Sequence, residues 1–157
     1  IIERLLITNN RTQRQMKLNS IPESIKIYGD ITYRGKCPKE TLEQVTFVSW
    51  VRKNYPDTHG LTLFHAKNEQ KLVKGQFTAI YKDKAMGMVK GCPDIHDHGN
   101  PSLCMEIKRQ DHTQSKIDDD QIKYLLAAQQ AGAFCCIALG HKAAIEAFND
   151  WQKMLDK

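Results

Sequence analysis

Gly91-Cys92-Pro93-Asp94, eleven residues, then Glu106-Ile107-Lys108: this stretch decides how the chain folds. Successive strand residues alternate between the two faces of a sheet. Glu106 and Lys108 therefore project together, while Met105 and Ile107 turn the other way into apolar packing. His98-Gly99-Asn100-Pro101 is a turn sequence, and it joins a strand predicted over Leu103 to Lys108 to one starting at Asp94 and running to Asp97. As antiparallel neighbours the two strands put Asp94 across the ladder from Glu106. Two carboxylates a few ångströms apart repel unless a cation neutralises them, and oxygen ligands with positions left to water suit Mg²⁺. A lysine beside such a metal orients the attacking water or stabilises charge growing on phosphorus.

A blander reading competes. With seven Glu and 17 Lys in the chain, a Glu-x-Lys triplet arises by chance, and a solvated pair on an edge strand has the same sequence. Pro-Asp also occurs twice. Pro56-Asp57 lies too far from Glu106 for a simple hairpin and reads as a helix stop.

Working outward, Pro38 in a first helical turn, or Thr41 with Gln44 as a capping box, opens a helix to about Tyr55. Val45, Val48, Val51 and Tyr55 recur along it at helical spacing. Leu61 to His65 is a short strand, and Gln70 to Met86 a helix flawed by Gly75 and ended at Gly87. Beyond Lys108, Ser115-x-x-Asp118 opens a helix that ends at Ala131, with Gly132 just past it. Ala133 to Leu139 is a continuous apolar strand of the doubly buried kind, and Lys142 to Leu155 an amphipathic helix. Ile25 to Tyr33 alternates enough for a short edge strand. The fold class is α/β, a mixed sheet flanked by helices.

The 157 residues suit one domain, burying roughly two thirds of the unfolded surface. Hydrophobic residues at 41% and charged residues at 26% argue against disorder. No apolar run approaches the roughly 18 residues of a membrane span, and Ile1-Ile2-Glu3-Arg4 lacks a signal-peptide layout, so no membrane partner is expected. Five cysteines, an odd number without CxxC spacing, read as reduced thiols of a cytoplasmic protein, with Cys135-Cys136 in the core. The net charge of +5 is uneven: residues 1–39 hold eight Lys/Arg against three Asp/Glu, and residues 40–157 hold fifteen of each. Residues 1–36 are thus expected to form a basic arm and residues 37–157 a single domain. Met16 is an alternative start, and without residues 1–15 the net charge is +3.

Other polar residues have bland readings beside functional ones. Gln121 lies in the first turns of its helix, near where a phosphate above the sheet would sit. Glu40 and Gln44 share one helix face, with Glu43 beside them. His96 and His98 flank Asp97 at the hairpin turn and read as solvated. Asp118-Asp119-Asp120 reads as favourable charge at a helix N-terminus, and Trp50 and Trp151 as core or interface anchors. Arg109, His112 and Lys116 lie in the loop after the third strand, and the nuclease resemblance carried by the motifs that follow would make them DNA-phosphate contacts.

Together, Glu40-x-x-x-Gln44, Gly91-x-Pro93-Asp94, Glu106-x-Lys108 and Gln121 followed by Tyr124-Leu125 resemble the VRR-NUC branch of the PD-(D/E)xK nucleases. The resemblance covers about residues 34–151 and extends to Asn68-Glu69, Gly87-Met88 and the run from Lys108 to Ser115. Each motif alone is weak; their common order carries the likeness. Stand-alone domains of this kind resemble those of bacteria and their phages. The resemblance implies an α-β-β-β-α-β core and Mg²⁺- or Mn²⁺-dependent phosphodiester hydrolysis without an organic cofactor. Asp94, Glu106 and the Ile107 carbonyl would hold metal, Lys108 would position water and Gln121 would support the site. Glu40 or Glu43 would be the helix carboxylate. A homodimer acting on branched DNA is implied too. A non-catalytic nucleic-acid-binding module of the same fold, or an RNA-directed or nucleotide-processing hydrolase, stands as the alternative.

Overall fold

The computed structural model describes residues 18–66 and 77–156. The strands are β1 (Lys26–Tyr28), β2 (Phe64–His65), β3 (Ile95–Asp97), β4 (Leu103–Lys108) and β5 (Phe134–Leu139). The helices are α1 (Glu40–Asn54), the single turn α2 (His59–Thr62), α3 (Phe77–Ala85), α4 (Asp119–Gln130) and α5 (His141–Met154). The five strands form one sheet in the order β1-β5-β4-β3-β2. β1 and β5, and β5 and β4, run parallel; β3 is antiparallel to both β4 and β2. The sheet is mixed and flanked by helices, and α1-β2-β3-β4-α4-β5 gives the expected α-β-β-β-α-β order. Among the described residues no helix is long and apolar enough to cross a membrane.

Strand alternation divides the core in two. Met105 and Ile107 of β4 face the side covered by α1 and α5, where Phe47, Val51, Phe148 and Trp151 are fully buried. Cys104 of β4 and Cys135, Ile137 and Leu139 of β5 face α4, against Ile122 and Leu125. Ile21 and Ile25 pack into this second layer and Tyr28 into the first, so residues 18–36, the described part of the expected basic arm, contribute an edge strand and core residues, while residues 1–17 lie outside the described residues. All five cysteines are free, with Cys135 and Cys136 buried.

Several local expectations are corrected. The buried face of α1 is Glu43, Phe47 and Val51, while Val45 is 55% exposed. Val51 is buried and Val48 and Tyr55 pack against the core as their spacing predicts; Val45 alone departs, because the buried position beside it carries the Glu43 carboxylate. Neither Thr41 nor Gln44 caps α1; its N-cap is Lys39, whose carbonyl accepts from the Leu42 and Glu43 amides. The strand expected over Leu61 to His65 shrinks to two residues, because His59 Nδ1 and Thr62 Oγ1 lie 2.8 and 2.6 Å from the buried Asp97 carboxylate and draw the chain into a helical turn. Of the helix expected over Gln70 to Met86, residues 70–76 lie outside the described residues, and α3 supplies the rest.

The assignment of α1's faces is testable by urea denaturation. Phe47→Ala should lose about 3–5 kcal/mol through the cavity it leaves, while Val45→Ala should stay within about 0.5 kcal/mol of the parent. Equal losses would mean that the helix is rotated.

Candidate active site

The register pairs Ile95 with Met105, His96 with Cys104 and Asp97 with Leu103, which carries Asp94 to the level of Glu106. Pro93 is fully buried. Gly91 precedes it at φ +82°, where a Cβ would come within 2.3 Å of the Asp120 carbonyl oxygen. Only a glycine lets the Pro-Asp turn lie this close to the start of α4. That contact brings the turn, β4 and the first residues of α4 to one place.

Glu106 is 2% exposed and Lys108 4% exposed. The solvated edge-strand pair is therefore not what forms; β4 lies inside the sheet. Lys108 Nζ stands 3.3 Å from Glu106 Oε1, and Gln121 Nε2 donates to the same oxygen at 2.8 Å. Gln121 Oε1 meanwhile accepts from the Asp118 amide at 2.9 Å, so this side chain both caps α4 and orients Glu106. Glu106 Oε2 is buried with no hydrogen-bond partner. Burial first, and the Asp94 charge second, push the Glu106 carboxyl up to about 8 despite the pull of Lys108.

Asp94 Oδ2 accepts from the Ile107 amide at 3.1 Å. On a strand the N–H and C=O of one residue point to the same edge, and neighbouring residues alternate. The Lys108 carbonyl accepts from Gly140, just past the end of β5, so the Ile107 carbonyl faces the opposite edge with Asp94. The next amide on that edge, Arg109 N–H, donates to Ser115 Oγ at 2.9 Å, and Ser115 Oγ donates to Glu40 Oε1 at 2.7 Å. Asp94, the Ile107 carbonyl and the Ser115–Glu40 pair thus lie in sequence along the edge of β4 beyond the start of β3.

Glu43 is engaged elsewhere. It is 3% exposed, and its Oε2 accepts from the His141 amide and lies 2.9 Å from His141 Nδ1, closing the N-terminus of α5. Two of the three expected DNA contacts also have other partners. His112 is buried, with Nε2 3.1 Å from the Ile31 carbonyl, so its imidazole holds the segment around residue 31 and does not face DNA. The Arg109 guanidinium donates to the Cys37 carbonyl at 2.8 Å. Lys116 is exposed.

His96 is a further correction. It is buried rather than solvated, stacked on Phe64 at 5.2 Å, with Nε2 2.9 Å from the Pro93 carbonyl. It braces the turn that delivers Asp94, while His98 is exposed as expected. Sequence reasoning also passed over Ser115 and Asp97, whose partners lie 75 and 35 residues away.

Two carboxylates and a carbonyl fit a hard divalent cation that keeps several waters. Among the described residues no three His, Cys, Asp or Glu side chains gather into a metal-holding group, which leaves such an ion with few protein ligands. The orphaned Glu106 Oε2 is the observation that supports the fit.

The raised Glu106 carboxyl has a signed consequence. Its proton is held more tightly by the folded than by the unfolded chain, so its stabilising contribution is full below pH 4.5 and is lost as pH rises through about 8. Without metal, Glu106→Gln should flatten that decline in thermal melts and be the more stable protein above this range. Identical pH profiles for parent and variant would refute the assignment.

No family model matches the chain, and no curated protein matches it in sequence. Its fold is similar to the solved structure of a "VRR_NUC domain protein", with a TM-score of 0.60 over 79% of this chain and 94% of that one, at 19% identity. At that identity the likeness speaks for the architecture: this five-stranded mixed sheet flanked by helices is a fold shared with a VRR_NUC domain protein.

Proposed function

We propose that the protein is a metal-dependent nuclease of the PD-(D/E)xK type, a deoxyribonuclease hydrolysing DNA phosphodiester bonds. The observation that carries this reading is the buried Glu106 carboxylate, with one oxygen held by Lys108 and Gln121 and the other unpartnered beside Asp94. Asp94, Glu106 and the Ile107 carbonyl are the residues that would hold Mg²⁺ or Mn²⁺. When bound, such an ion offsets the paired carboxylates, polarises a phosphate oxygen and lowers the pKa of a coordinated water.

The chain's own residues do the rest. Lys108 has its ammonium fixed by Glu106 and orients water or meets charge on phosphorus. Gln121 holds Glu106 in place. Of the two candidate helix carboxylates, Glu40 is the one this reading uses, since Glu43 is consumed at α5. Lys116 is an exposed phosphate contact at the mouth of the loop. Selectivity for branched DNA, a homodimer and a cytoplasmic setting in a bacterium or a phage-infected host are further parts of the proposal, supported by the motif resemblance and, for the compartment, by the free thiols.

Incubation with plasmid, linear, single-stranded and four-way-junction DNA in Mg²⁺, Mn²⁺ or EDTA tests it. Cleavage should need the metal, and Asp94→Ala, Glu106→Ala and Lys108→Ala should each lose at least about 10²-fold in rate. Cutting in EDTA, or full activity in Asp94→Ala, would refute the mechanism. Binding without cutting in every metal would instead favour the non-catalytic module.

A further inference from the structure

We propose that Ser115 is a positioning residue of this site: its hydroxyl holds the Glu40 carboxylate at the open edge of β4, beside the Ile107 carbonyl. The inference rests on the nuclease reading and assigns a task that the motif residues alone leave undone. Ser115 is 4% exposed. A hydroxyl has one proton to give, and the Arg109 amide can only donate, so the Ser115 proton is committed to Glu40 Oε1. Both contacts are made by Oγ, at 2.9 and 2.7 Å. Glu40 Oε2 takes no hydrogen bond from the described residues, which leaves it for a ligand of the metal or a bound water.

Without the hydroxyl, no hydrogen bond from the described residues would restrain the Glu40 side chain. It is the first residue of α1, half-buried, with three freely rotating side-chain bonds. Ser115 is itself held rigidly. Its amide donates to the His112 carbonyl at 3.1 Å, closing the short 3₁₀ turn His112–Gln114. Asp111 caps that turn through the Thr113 amide and hydroxyl at 3.0 and 2.6 Å, and also accepts from the Gly35 amide at 3.0 Å. The loop after β4 therefore acts as a bracket that carries one hydroxyl to a fixed point on the strand edge. Partners of metal-liganding carboxylates commonly act in this way.

Calorimetric titration with Mn²⁺ alone, without DNA, reads the effect directly. The set is the parent protein, Ser115→Ala, Glu40→Ala, the double variant and Asp94→Ala, each with its thermal midpoint. Ser115→Ala should weaken Mn²⁺ binding about 10-fold, Ser115→Thr should restore most of it, and the double variant should bind no more weakly than Glu40→Ala. If Ser115→Ala does not fold, the same cycle is run with Ser115→Cys, which keeps the shape and donates weakly. Binding within two-fold of the parent at a lowered melting point would make Ser115 merely structural. An equal loss in the Glu40→Ala background would also overturn the proposal, since the effect would not pass through Glu40. If Asp94→Ala abolishes Mn²⁺ binding while Ser115→Ala spares it, only the positioning role fails. If Asp94→Ala binds as the parent does, the nuclease reading fails and this inference with it.

Discussion

A carboxylate buried inside a sheet beside a second carboxylate is the constraint on which the rest of the structure turns. Burying an ionised group is costly unless it is paired and hydrogen-bonded. Around Glu106 the fold supplies a lysine two positions along the same strand, an amide from the helix behind and a glycine that lets the Asp94 turn close in. These supports act on one oxygen only. A core optimised for stability would place an apolar residue at position 106, in line with Cys104 on the same face. The unpartnered oxygen and the raised carboxyl mark position 106 as the place where the core departs from that optimum.

The two apolar layers explain how such a site is tolerated. On the α1/α5 side, Met105, Ile107, Phe47, Phe148 and Trp151 make a conventional core that holds β4 straight. On the α4 side Glu106 and Lys108 are buried too, with Ile137 and Leu139 of β5 as their partners across the ladder. The strand's alternation thus puts Met105 and Ile107 on one face and the buried Glu106–Lys108 pair on the other, and the apolar face offsets the cost of the charged one.

Legibility followed the range of the determining interaction. β4 and β5 were readable because alternation and a continuous apolar run are local signals, and the Asp94–Glu106 level follows from a turn of known position. Gln121 could be placed on its helix, but its double hydrogen bond could not. His96 defeated local reading: a histidine at a hairpin looks solvated, and its burial depends on Phe64 from a two-residue strand and on Cys104 across the ladder. The choice between Glu40 and Glu43 was illegible for the same reason. Glu43 is engaged by His141, 98 residues away, and Glu40 by Ser115, 75 residues away.

The distribution of charge acquires a different meaning from these contacts. Arg109 and His112, the basic groups nearest the site in sequence, are spent on backbone carbonyls at Cys37 and Ile31. They tie the segment before α1 to the loop after β4. Lys108 is partly offset by Glu106. Asp94 and Glu40 place two further carboxylates at the edge of β4, and under the proposed function a phosphodiester brought there would meet like charge unless a cation intervened. Under the proposed function, an ion held by Asp94 and Glu106 would serve the approach of the substrate as well as the breaking of the bond, which would make recognition and chemistry consequences of the same two carboxylates.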